Sequence, residues 1–272
     1  MKRNNLKFYI GGMLMTSLMA MGGCDFLTGN DGPTKQLSIE EKAHLSDDPT
    51  SPCCHFTLNH TYLNEKDDSI AALINRHLQN ELLGNDYATL APEAAVDSFK
   101  NTYLRNYIGK LGENYRKALD YGVHEQEITA WFSHEYALNT TVEDGCEGVV
   151  NVKADFNVHE GGAHPHAYSR WMNFSRTSGK PLGVKEVFDN RSKAEVEKLL
   201  LEALMAQKGV QTLDELKKAG FLEQTAIYIP DNFLLGKDGI SFLFNAYDIA
   251  PHSAGNTVLQ LSYEEIGQYL NK

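Results

Sequence analysis

The chain has 272 residues and a formal net charge of −11, from 36 acidic and 25 basic side chains. That balance repels phosphate backbones and sets nucleic acid aside as a partner, while it favours cationic partners through long-range steering. The length suits one large domain or two small ones.

The chain opens on a basic start, Met1-Lys2-Arg3 and Lys7, followed by an uncharged apolar run from Phe8 to Met21 and then Gly22-Gly23-Cys24. This is the layout of a secretory signal peptide. The apolar run falls short of the ~20 residues that a membrane-spanning helix needs. A cysteine directly after small residues looks like a bacterial lipobox, although Met21 stands where that pattern prefers leucine. Cys24 is therefore the expected lipidation site, with several acyl chains anchoring the protein to a membrane of the cell envelope. Removal of residues 1–23 takes away Lys2, Arg3 and Lys7 and deepens the net charge to −14.

Residues 24–52 are rich in Asp, Gly, Pro, Thr and Ser, and read as a flexible linker that buries no core. Ser38 to Leu45 is expected to be transiently helical. The ordered module is expected in two parts, 53–160 and 161–272. Three cysteines remain beyond the acylated one: Cys53, Cys54 and Cys146. An adjacent pair seldom bonds to itself, because the geometry is strained. The expected disulfide therefore joins Cys146 to Cys53 or Cys54, and leaves one thiol over.

Phe56, Leu58 and His60 alternate with polar residues and predict a strand over 55–63. Asp68-Ser69 opens a helix with Ile70, Leu73, Ile74 and Leu78 on one face. A second helix is predicted from Pro92 to Asn114, with proline in the first turn. Period-two alternation then predicts strands over 128–138 and 150–158, with a partner at 168–174 and a turn at 177–181. Val196, Leu199, Leu200 and Leu204 mark a third helix, and 213–219 a short helical turn. A hairpin follows, 232–235 with 240–247, then a short strand at 258–261 and a closing helix capped by Ser262. Helices and antiparallel strands come in separate runs, so the expected fold class is α+β, antiparallel sheets with helices packed on one face.

The densest chemical cluster is His159-Glu160-Gly161-Gly162-Ala163-His164-Pro165-His166. Two glycines and a proline forbid the helix that would bring two histidines together as metal ligands. A tight loop between strands, with glycines at positive φ, is the simpler reading. A metal-dependent hydrolase using His164 and His166 would need a distant third ligand. No G-x-S-x-G elbow is present, and no cofactor is expected. Trp131, Trp171, Tyr168 and Tyr247 offer aromatic surface for stacking on sugars, although strand aromatics commonly fill cores. His77 and His134 read as core histidines.

Several segments resemble a known family. Glu160 to Pro165, Trp171-Met172-Asn173-Phe174, Ser178 to Leu182 and Val187-Phe188 resemble the C-terminal half of the RsiV/PdaC-type extracytoplasmic module. Phe242 to Pro251, Ala254-Gly255 and Tyr263 to Ile266 look like that family's tail, and the strand and two helices from Cys54 to about Asn114 look like its N-terminal half. In RsiV-type anti-sigma factors this module binds lysozyme; in PdaC-type proteins it accompanies a polysaccharide deacetylase domain. For this chain the resemblance implies recognition. The leading expectation is a non-catalytic lipoprotein of the bacterial cell envelope, facing periplasm or cell surface, that binds a cationic lysozyme-like protein. The second is peptidoglycan or another glycan, and the candidate ligand-binding residues are His164, His166, Tyr168 and Trp171.

Overall fold

The computed structural model describes residues 32–123, 125–161 and 165–271. The expected signal segment, Cys24, Gly162 and His164 lie outside the described residues. Two sheets organise the chain. The first has five strands in the order β1 (Thr34–His44), β2 (Cys53–Leu63), β3 (His134–Asp144), β4 (Val149–Glu160) and β5 (His166–Ser175). Between β2 and β3 run α1 (Ser69–Leu82), α2 (Pro92–Asp120) and α3 (Glu125–Phe132). After β5 come α4 (Val184–Val187), α5 (Lys193–Lys208) and α6 (Leu213–Lys218). The second sheet is β6 (Phe233–Leu235), β7 (Gly239–Phe244) and β8 (Thr257–Ser262), all antiparallel, and α7 (Tyr263–Ile266) closes the fold.

The fold class is the expected one. In the first sheet β2 and β3 run parallel while every other neighbouring pair is antiparallel. A parallel pair needs a crossover, and the three helices between β2 and β3 supply it. Asp68 caps α1 by accepting from the Ile70 and Ala71 N–H groups. Asn75 on α1 bonds both backbone groups of Leu63, so the helix is locked to the end of β2. Phe56, Leu58, Ile74, Leu78, Val96, Leu138, Val152 and Ala154 pack into one core between the sheet and these helices. A second core surrounds Val196, Leu200, Leu204, Phe233, Phe242 and Phe244.

Four expectations are corrected. Residues 34–44 of the expected linker form β1, including most of the stretch read as transiently helical. Leu37 and Ile39 are buried while their neighbours stay exposed, and an edge strand needs only one such face because β2 supplies its hydrogen bonds. The predicted strand over 128–138 is a helix followed by a strand. Ile128 and Phe132 are one helical turn apart and pack together on Tyr115, a spacing that alternation does not distinguish from a strand over so few residues. The boundary at residue 160 cuts the first sheet, since β5 pairs with β4 along its whole length.

The expected disulfide is absent: Cys53, Cys54 and Cys146 are free thiols. Cys54 pairs with His134 at the start of β3, and Cys146 follows the far end of that strand. About 30 Å of extended chain separates the two ends, far beyond the reach of a disulfide. Burial pushes the Cys54 thiol up to about 12, so it stays protonated and inert.

Candidate functional site

The two faces of the five-stranded sheet carry different chemistry. One is the covered core. On the other, in-register neighbours form a row across all five strands: Ser38, Asn59, Asn139, Asp155 and Ser169. Ser38 is hydrogen-bonded to Asn59, Asn59 Nδ2 donates to Asn139 Oδ1 at 2.7 Å, and Ser169 Oγ donates to Asp155. The first four are exposed and Ser169 is half-buried. Four interstrand steps of about 4.8 Å make the row roughly 19 Å long. The next row holds Thr141, Lys153 and Trp171. Lys153 is paired with Glu143 at 2.9 Å. On the other flank His55 bonds Glu40 at 2.8 Å.

The edge of this surface is fixed by asparagines. The Ser169 N–H donates to Asn245 Oδ1 at 2.8 Å, and Asn245 Nδ2 returns a bond to the Ser169 carbonyl at 3.0 Å. The Trp171 N–H donates to Asn232 Oδ1 at 3.1 Å. Asn173 accepts from the Leu235 N–H and donates to the Phe233 carbonyl, at 2.8 and 2.9 Å. Asn245 and Asn232 substitute for a sixth strand and satisfy the outer backbone of β5, and Asn173 reaches from β5 to the backbone of β6 and ties the two sheets together. A cleft of about 450 Å³ wraps round this edge between α1, β5 and the chain before β6, lined by His77, Glu81, Arg170, Trp171, Tyr228, Asp231 and Asp248 among others. Burial raises the pKa of Tyr228, and the nearby carboxylates of Asp248 and Asp231 raise it further.

Of the predicted ligand-binding residues, the three that are described, His166, Tyr168 and Trp171, do not converge. His166 and Tyr168 pair with Val158 and Phe156 and so share the core face of the sheet, whereas Trp171 pairs with Lys153 on the open face. The Tyr168 ring stacks on Phe156, centroids 4.6 Å apart, and serves as packing. The exposed His166 ring lies 5.1 Å from Tyr168. The wider aromatic platform is dispersed too: Trp131 is on α3 and Tyr247 stands in the loop after β7. His77 lines the cleft and lies 6.5 Å from Phe174, and His134 packs on Tyr107. Gly161 has the expected positive φ, 81°, and a Cβ there would sit 2.7 Å from the Trp131 carbonyl oxygen.

Sequence reasoning missed the polar row itself. Its signal was present in the wet positions of the alternating strands; what the sequence lacked was the register that lines them up.

Comparison with known proteins places the chain beside proteins known by their structures. Residues 185–264 match the family described as "Protein of unknown function (DUF3298)". The chain is similar to a solved DUF3298-family protein from Bacteroides fragilis NCTC 9343, with 26% identity, a TM-score of 0.82, and coverage of 88% of this chain and 93% of that one. It shares its fold with a DUF3298-family protein from Pseudomonas aeruginosa PAO1, at 16% identity and a TM-score of 0.61, covering 88% and 94%. No curated protein matches.

Proposed function

We propose that the chain is a non-catalytic recognition module of a bacterial envelope lipoprotein, anchored through Cys24, whose ligand docks on the open face of the five-stranded sheet. The observation that carries this reading is the continuous polar row from Ser38 to Ser169, held in register and left uncovered by any helix among the described residues. Most antiparallel sheet faces of this kind are simply solvated. Here the side chains of the face are pre-ordered by one another, and its Trp171 end opens into a cleft.

The ligand is a cationic, lysozyme-like protein. The net charge of −14 beyond the signal supports this reading, as does the resemblance to RsiV/PdaC-type modules. Calorimetric titration with lysozyme is expected to give heat at low salt that shrinks as ionic strength rises. Absence of heat at low salt overturns the assignment. Trp171 favours a second reading, a glycan: its ring flanks a row of amides, hydroxyls and a carboxylate, the usual partners of sugar hydroxyls. Retention on insoluble cell wall that drops on Trp171→Ala would select that reading.

A further inference from the structure

The sheet order leaves β1 at an edge, with β2 on one side and no strand on the other among the described residues. The Pro33 carbonyl accepts from Asn64 N–H, and Leu45 N–H donates to the Pro52 carbonyl. In an antiparallel ladder the N–H and C=O of one residue point the same way and successive residues alternate. Odd-numbered residues of β1 therefore face β2, and Thr34, Gln36, Ser38, Glu40 and Lys42 direct their backbone groups outward. The strand runs eleven residues against β2 without a bulge and without an internal proline. These are two of the devices that keep such edges from pairing; of the usual protections, β1 has only its charged side chains among the described residues.

Those charges select a partner. We infer that the β1 edge docks a second copy of this chain, β1 against β1 in antiparallel, with a two-fold axis through Ser38. This register sets Lys35 opposite Glu41, Gln36 opposite Glu40 and Leu37 opposite Ile39, each twice. Lys35 makes no ion pair among the described residues. Glu41 shares the Lys100 ammonium with Asp97, at 2.7 and 3.2 Å, so two carboxylates face one cation and a negative charge is left for Lys35 of the second copy. Other registers lack this complementarity. An axis through Ile39 sets Leu37 against Glu41, and an axis through Glu40 sets that carboxylate against itself. In the chosen register each apolar residue meets an apolar residue and each outward backbone group from Thr34 to Lys42 finds a partner. The two sheets become one continuous sheet, and their open polar faces join on the same side.

The test is disulfide capture in membranes carrying the full chain. At the axis the two Ser38 Cα atoms would lie about 5.5 Å apart, within the range a disulfide spans. Ser38→Cys is expected to give a cross-linked dimer on a non-reducing gel that the unsubstituted chain, with its own cysteines, does not give. Adding Lys35→Glu is expected to lower the yield about fivefold by setting two carboxylates together, and adding Glu41→Gln as well, which removes that repulsion without setting a second ammonium against Lys100, is expected to restore it. No dimer from Ser38→Cys, or equal cross-linking from Lys42→Cys, whose opposite number in this register is Thr34, overturns the proposal. Neither outcome bears on lysozyme binding, which a single copy of the chain suffices to test.

Discussion

The same five strands present two surfaces that differ in almost every respect. On the inner face Phe56, Leu58, Leu138, Val152, Ala154 and Phe156 pack against α1 and α2. On the outer face their sequence neighbours Thr57, Asn59, Asn139, Lys153, Asp155 and Asn157 stand half-buried or exposed. Because side chains alternate strictly along a strand, stability is concentrated on one face, and the other is free to be selected for contact with something else. That contrast is open to attack from both sides.

The largest effect is expected on the inner face. Phe56 is fully buried and stacks on Tyr136 with centroids 5.0 Å apart. Phe56→Ala should cost about 3–5 kcal/mol in urea unfolding. Next is the join between the sheets: Asn173→Ala leaves the Leu235 N–H and the Phe233 carbonyl unpaired in a buried place. A loss of about 2–3 kcal/mol is expected, read as a lowered unfolding midpoint.

His60 gives the inner face a pH signature. Its Nδ1 meets Thr140 Oγ1 at 3.0 Å, its Nε2 is buried without a partner among the described residues, and burial lowers its pKa to about 4. The unfolded chain, titrating near 6.5, binds a proton that the folded chain refuses. The stability associated with neutral His60 is therefore complete above about pH 6.5 and is lost as pH falls towards 4. Between pH 7 and pH 5 wild type should lose roughly 2 kcal/mol more than His60→Asn, measured by unfolding at both values. An equal loss in both proteins would place the titration elsewhere. The smallest effect on stability belongs to the outer face: Asn139→Ala should change it by no more than about 0.5 kcal/mol.

Much of this contrast was legible in the sequence. The alternation of Val150 to Phe156 named the core-facing residues of β4, although Asn151, which it placed on the wet face, is buried against the Leu235 carbonyl, and Asp68 and Pro92 marked the helix starts. The signals failed where local pattern is ambiguous. Two apolar residues, Leu37 and Ile39, are too few to announce an edge strand among charges. Ile128 and Phe132 fit a helical turn as well as a strand. The site was less legible than the fold, because register is a long-range property. Tyr168 and Trp171 lie three residues apart and so fall on opposite faces of β5, while Ser38 and Ser169 share a row across most of the chain. The missing disulfide has the same origin: only the parallel pairing of β2 with β3 sends Cys146 to the far end of the sheet.

The outer face is tested most directly by placing a cation at its centre. Asn139→Arg adds an exposed charge in the middle of the polar row and touches no core residue. With folding verified by an unchanged unfolding midpoint, calorimetric titration of lysozyme into this variant at low salt is predicted to show at least about tenfold weaker binding than wild type, a difference of ~1.4 kcal/mol. Wild-type affinity in a normally folded Asn139→Arg protein would contradict the assignment of this face as the recognition surface.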